Sequence, residues 1–230
     1  KPDWLPGFPV QIYCNRSELT VDILAHRGLW YSEEDRNSVF SIKEAFSRGF
    51  GCEIDLRDYN QTIVISHDMG NKASPLFDKI LGEWDRYPNC TLALDIKACG
   101  IINDLKPKIS NRPNYFCFGM TVPEMLEYST AGVSFYTRQS EYEETPILYD
   151  LASGVWIDYF NDDEASVKRV PEHIRNGKGV CVVSAELNGR DPSLQWELLR
   201  HLGPQYLEKI MLCTDKPMEA EQFFKGRCWL

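Results

Sequence analysis

Short apolar runs recur along the whole chain and alternate with amphipathic segments, and this alternation limits the fold more than any other feature. The runs fall at residues 21–26, 52–57, 92–97, 115–118, 133–137, 155–159, 179–184 and 210–214. They are rich in Val, Ile, Leu, Phe and Cys and show little strict alternation, the composition of strands covered on both faces, as parallel strands are. The segments between them carry helical signals. Ser41-Ile-Lys-Glu44 reads as a capping box, with Ile42, Ala45 and Phe46 on one face and Gly49 as the stop. Ile101, Ile102, Leu105 and Ile109 make a second face, and Thr121-Val-Pro-Glu124 a second capping pattern with Pro123 in the first turn. Leu194, Leu198, Leu199 and Leu202 make a third face, ended by Gly203. An additional strand at 62–66 follows 52–57 across a turn at 58–61.

Eight strands with helices between them predict an α/β protein built as a single (β/α)8 TIM barrel. An open doubly wound sheet is the other arrangement of such a pattern, but the chain lacks the glycine fingerprint of the dinucleotide-binding version. The barrel takes residues 21–230, with residues 1–20 as an N-terminal arm packing on it. A chain of 230 residues is long enough for one such domain with a full core.

The formal charge of −9 argues against nucleic acid as a partner, because phosphate backbones are held by basic surfaces. A small anionic substrate then requires a local cationic centre. No run of eighteen apolar residues exists, so no integral membrane segment is expected. The eight cysteines form no CxxC pair, which argues against structural zinc. Cys52, Cys117, Cys181 and Cys213 lie in apolar runs, where free thiols act as small hydrophobes. That usage points to a reducing cytoplasm; sequons at Asn15, Asn60 and Asn89 point instead to a secreted or periplasmic location.

In barrel enzymes the chemistry sits at the C-terminal ends of the strands. Here those ends carry His26-Arg27, Glu53 with Asp55, Asp95 with Lys97, Arg138, Asp158, Ser184 with Glu186, and Thr214-Asp215; His67-Asp68 follows the extra strand. Glu53 and Asp55 are two apart in an extended segment, so both point the same way. Like-charged carboxylates facing a barrel interior are costly unless a cation joins them. Asp95 adds a third, and a cluster of carboxylate oxygens suits one hard divalent cation, Mg²⁺ or Ca²⁺. A competing arrangement pairs these acids with Arg27, Arg57 and Lys97 in a buried ionic network. A lone histidine would most simply be a core residue, but two at strand ends, each followed by a charged residue, suit acid–base work. His173 and His201 fall in helical surface segments and receive no role.

These motifs resemble the glycerophosphodiester phosphodiesterase family. Leu24-Ala-His-Arg-Gly28, Asn37-Ser38, Ala45 and Gly49, Cys52-Glu-Ile-Asp-Leu56 and Val64-Ile-Ser-His-Asp68 follow its opening in order and spacing. Leu94-Asp-Ile-Lys97 is similar to its ExK strand, and Leu212-Cys-Thr-Asp-Lys-Pro217 to the TDxP segment that closes its barrel. The resemblance is dense through about residue 100. It implies a metal-dependent phosphodiesterase acting on a small phosphodiester, with Glu53, Asp55 and Asp95 as metal ligands, His26 and His67 as general acid and base, and Arg27 and Lys97 on the phosphate. It also admits a lyase that stops at a cyclic phosphate, a diester of a glycerol-phosphate-bearing saccharide, or a binding protein that keeps the shell of an enzyme.

Three departures bear on the substrate more than on the reaction. Asp95 stands where the family usually has Glu. Only about 25 residues separate His67 from Leu92, where the family carries a sizeable insertion. Val182-Val-Ser-Ala-Glu186 replaces an aromatic-rich seventh strand.

Overall fold

The computed structural model describes residues 21–225, so the expected N-terminal arm lies outside the described residues. Nine strands form one sheet: β1 Asp22–His26, β2 Gly51–Tyr59, β3 Thr62–Ile65, β4 Leu92–Ile96, β5 Tyr115–Phe118, β6 Tyr136–Gln139, β7 Gly154–Ile157, β8 Gly179–Val183 and β9 Ile210–Thr214. Eight of them run parallel in the order β5-β4-β2-β1-β9-β8-β7-β6, and β3 pairs antiparallel with β2 off that path. A bridge between Cys117 and Phe135 brings the two ends of the path together, with Cys117 N donating to Ser134 O at 2.9 Å. The result is a nearly closed (β/α)8 barrel.

The helices are α1 Val39–Ser47, α2 Asp78–Trp84, α3 Ile102–Ile109, α4 Val122–Thr130, α5 Asp163–Arg175, α6 Ser193–His201, α7 Pro204–Leu207 and α8 Pro217–Lys225. One set of strand residues packs outward on them: Ala25, Cys52, Ile54, Leu56, Leu92, Leu94, Val155, Ile157, Val180, Val182 and Leu212 all join the large core. The alternate set fills the interior, where Leu24, Ala93, Phe116, Phe118, Tyr136, Trp156, Cys181, Val183 and Cys213 form a second cluster. Phe116 stacks on Tyr136 with ring centroids 3.8 Å apart, and Phe118 on Trp156 at 3.9 Å. Gly154 and Gly179 make room for this plug, since a Cβ at either would collide with the Tyr136 ring. Two layers of side chains thus seal the lower barrel and leave the mouth to the polar strand ends. The buried Cys52, Cys117, Cys181 and Cys213 are free thiols within these layers.

Several local expectations shift. The sixth strand starts at Tyr136 rather than Val133, because residues 133–135 meet β5 through an isolated bridge and not through a continuous ladder. The β2–β3 ladder runs on to Tyr59 and Thr62, and the turn narrows to Asn60 and Gln61, both with positive φ as a tight hairpin requires. Helix α1 is capped by Ser38, whose side chain accepts from Ser41 N; Ser41 itself is buried inside the helix. Thr121 sits at the N-cap of α4 without a side-chain bond, and Glu124 instead accepts from Gly100 N at 2.5 Å. In α6 the inward residues are Gln195, Trp196 and Leu199, while Leu194 is exposed. His173 is buried in α5 rather than on a surface.

Candidate active site

The inward phase of β1, β2 and β4 delivers His26, Glu53, Asp55, Asp95 and Lys97 to one mouth of the barrel. Register aligns His26 with Glu53 and Asp55 with Asp95 across neighbouring strands. Arg27 then leaves β1 in the left-handed region (φ 58°), followed by Gly28 (φ 90°). For a non-glycine residue this costs about 1–2 kcal/mol. It is offset by Arg27 N, which donates to Glu53 O at 2.9 Å and to Glu53 Oε2 at 3.2 Å.

One oxygen from each of Glu53, Asp55 and Asp95 lies within 4.8 Å of the others. Glu53 and Asp55 are buried. Burial, then the charges of Asp55 and Asp95, hold the Glu53 carboxyl well above the usual carboxylate range. Burial likewise raises Asp95, against the opposing pull of Lys97. Asp55 is tied to Asn37 both ways: Asn37 Nδ2 donates to Asp55 Oδ2 at 2.7 Å, and Asp55 N donates to Asn37 Oδ1 at 3.2 Å.

The competing ionic network is present in part. Lys97 Nζ donates to Asp95 Oδ2 at 2.6 Å and lies 3.4 Å from Asp55 Oδ1. Arg27 Nε lies 3.2 Å from Asp55 Oδ2 without hydrogen-bond geometry. Arg57 turns away and holds the carbonyl of His67, Nη2 to O 3.1 Å. Three acids thus face two cations, and Glu53 has no ion pair with Lys or Arg among the described residues. Such a compact set of oxygen donors with charge in excess fits a hard divalent cation.

His26 Nδ1 sits 2.7 Å from Asp215 Oδ1, and its Nε2 lies 3.8 Å from Glu53 Oε2. A carboxylate on Nδ1 selects the tautomer that leaves Nε2 with its lone pair toward the site. Asp215 is held by Glu186, whose Oε1 accepts from Asp215 N at 3.1 Å and from the Thr214 hydroxyl, while Oε2 accepts from the Ser184 hydroxyl. His67 lies in the loop after β3, half exposed, with Nδ1 3.0 Å from Asp68 Oδ1.

All seven residues singled out in the sequence line one cavity of about 530 Å³. The opposite wall carries Arg138, Trp156, Asp158, Leu187 and Asn188. Burial raises the Asp158 carboxyl above its ordinary range. A second depression, of about 550 Å³, meets the first at Arg27 and His67. Trp156 is one of the aromatics, with Trp30 and Tyr31, that the sequence reading offers for a saccharide or lipid-headgroup substrate, whereas Asp215, Asn37, Glu186, Arg138, Asp158 and Asn188 are assigned no role by it. Most were visible only as polar strand ends, and their partners lie far away in the chain.

No family model matches the chain, and no curated protein matches it in sequence. Solved structures match it in fold. A glycerophosphodiester phosphodiesterase from Parabacteroides distasonis superposes with a TM-score of 0.64 at 17% identity, over 88% of this chain and 96% of that one. A glycerophosphodiester phosphodiesterase from Thermotoga maritima gives 0.61 at 17% identity, over 90% and 99%. A Ca²⁺-dependent phosphatidylinositol-specific phospholipase C from Streptomyces antibioticus gives 0.54 at 10% identity, over 87% and 96%. The chain therefore has the fold of the glycerophosphodiester phosphodiesterases.

Proposed function

We propose that the protein is a metal-dependent phosphodiesterase that cleaves a glycerophosphodiester-type substrate by acid–base catalysis between His26 and His67. One observation carries this reading: two histidines, three carboxylates, Arg27 and Lys97 line a single cavity at the mouth of a barrel with the glycerophosphodiester phosphodiesterase fold. Glu53, Asp55 and Asp95 would hold the cation, Mg²⁺ or Ca²⁺. When bound, such an ion draws charge from a phosphate oxygen and eases attack on phosphorus.

The residues of the chain do the rest. Lys97 donates to Asp95, pairs with Asp55 at 3.4 Å and keeps a donor for a phosphate oxygen. Arg27 makes no hydrogen bond through its Nη groups among the described residues and offers directional donors. His26 Nε2 removes the proton from the attacking hydroxyl, and Asp215 steadies the imidazolium that forms. The attacking group is a neighbouring hydroxyl of the substrate, and water opens the resulting cyclic phosphate. His67, at the junction of the two depressions, protonates the departing alcohol.

The test is turnover of small glycerophosphodiesters with added Mg²⁺ or Ca²⁺. His26→Ala and His67→Ala should each lower kcat by at least about a hundredfold. The His67→Ala loss should shrink with a p-nitrophenolate leaving group, which needs no proton. Phosphorus NMR separates a hydrolase from an enzyme that stops at the cyclic product. Absence of turnover at any cation concentration, or wild-type rates in both histidine variants, would overturn the reading.

A further inference from the structure

Two side chains of the segment joining β1 to α1 close a circuit on His26. Trp30 Nε1 donates to the His26 carbonyl at 3.0 Å. The Arg36 guanidinium lies over the Trp30 ring, Cζ 4.4 Å from the centroid. Arg36 Nη2 then stands 3.7 Å from Asp215 Oδ2, while Asp215 Oδ1 lies 2.7 Å from His26 Nδ1. Both oxygens of Asp215 are thereby engaged, one by the imidazole and one by the cation. The backbone around Arg36 is anchored as well: Arg36 N donates to Glu33 O at 3.3 Å, and Asn37 N to Arg27 O at 2.9 Å.

The last torsion of an aspartate is soft, so a carboxylate held at one oxygen swings readily. Glu186 fixes the backbone N–H of Asp215, not its carboxylate. Arg36 supplies the second point of attachment. A planar, permanently charged guanidinium stacked on an indole suits this task, because the ring sets its plane and leaves an edge for the acid. Arg36 Nε has no hydrogen-bond partner among the described residues, so the stacking rather than a bond holds that plane. The other acid near Arg36 is Glu33, whose Oε1 lies 3.5 Å from Nη2 on a side chain 82% exposed, where water screens the pair. The Arg36–Asp215 pair is itself part-exposed and adds little to stability; what it supplies is direction. Resting on the acid–base reading above, we infer that Arg36 is a positioning residue. Braced on Trp30, it orients the Asp215 carboxylate and so keeps the His26 ring aimed into the site.

The test is a mutant cycle on the full chain, with a glycerophosphodiester and added Mg²⁺ or Ca²⁺. Arg36→Ala should lower kcat about tenfold, with KM and melting temperature near wild type. In Asp215→Ala, which has no carboxylate left to orient, adding Arg36→Ala should cost less than about twofold. Arg36→Lys, which keeps a cation able to lie over the indole, should recover part of the rate; Arg36→Met, which keeps only the bulk, should not. Glu33→Gln should leave turnover unchanged. A raised KM, with the full loss persisting in Asp215→Ala, would make Arg36 a substrate contact, since it also lines the second depression, and would overturn the inference. So would wild-type kcat in Arg36→Ala, equal activity in Arg36→Met and Arg36→Lys, or a loss in Glu33→Gln that matches Arg36→Ala. Nitrogen NMR of the imidazole, read at alkaline pH without substrate, separates this role from the phosphodiesterase reading. Wild-type His26 should hold its proton on Nδ1, and Arg36→Ala should move part of the population to Nε2. That shift, with no diester turned over by the wild type, would keep the positioning role and reject the phosphodiesterase. No shift and no turnover would reject both.

Discussion

Asp215 and His26 stand 189 positions apart in the chain and meet at 2.7 Å, carboxylate oxygen to ring Nδ1. The contact exists because β9 pairs with β1 and so returns the last strand to the side of the first. It ties the ring orientation of a residue near the start of the barrel to the strand that completes it.

Replacing Asp215 by Asn removes the charge that favours the imidazolium and allows an amide N–H to face Nδ1, selecting the wrong tautomer. Turnover should fall by at least about tenfold, within the range set by general acid–base catalysis. The melting temperature and the cation affinity of the variant, measured by scanning calorimetry and titration calorimetry, should stay close to wild type. Wild-type kcat in Asp215→Asn would detach this carboxylate from the chemistry.

Glu53 is buried with two other acids and no Lys or Arg partner of its own among the described residues. In the metal-free protein Glu53→Gln removes part of that repulsion and should raise the melting temperature; a gain of about 1 kcal/mol reads as about 2–4 °C in a domain of this size. The same change should abolish the heat of Mg²⁺ or Ca²⁺ binding and the stabilisation that either ion gives. Unaltered cation titration in Glu53→Gln counts against its part in the metal site.

Glu186 holds Asp215 through its backbone N–H and is itself fixed by the hydroxyls of Ser184 and Thr214. Trp196 Nε1 donates to Ser184 Oγ at 2.8 Å and locks the arrangement from α6. Glu186→Ala should lower kcat by about tenfold through misplacement of His26, as loss of positioning for an acid–base group does, while KM changes little. Glu186→Gln keeps an acceptor for Asp215 N and should recover most of the rate. A Gln variant as impaired as the Ala variant would show that charge, not positioning, matters.

His173 is buried between Tyr149 Oη, 2.9 Å from Nδ1, and Gln139 Oε1, 2.7 Å from Nε2. Burial holds its pKa below the ordinary 6.5. The folded value lies below the unfolded one, so the stability His173 contributes is present above about pH 6.5 and is lost as pH falls through the folded value. The gap in melting temperature between wild type and His173→Gln should therefore be widest near pH 8 and narrow toward pH 5. A gap that is constant or widens on acidification would refute the neutral, hydrogen-bonded state.

The legible part of this protein was periodic and local. Glu53 and Asp55 could be assigned to one face from their spacing, and the strands that carry His26, Asp95 and Lys97 were bounded to within a residue or two. The sixth strand begins later than its pattern predicts because residues 133–135 read like a strand, yet they meet β5 through an isolated bridge and build no ladder. His173 was misread because one polar residue on an amphipathic helix resembles its exposed neighbours. Only the side chains of Tyr149 and Gln139, brought in from elsewhere, let it be buried.

By itself the sequence determined the alternation of strands and helices, the inward phase of the strand ends and the clustering of acids on β2 and β4. Those depend on the two-residue period of a strand and on hydrophobic burial, which act over a few neighbouring residues. The tertiary structure alone decided that Asp215 reaches His26, that Asn37 brackets Asp55, and that Asp158 and Asn188 face the histidines across one cavity. Asn37 reaches Asp55 through the pairing of β1 with β2, while the meeting of Asp215 with His26 and the facing of the two walls require the barrel to close, and closure depends on twist and register accumulated over the whole sheet.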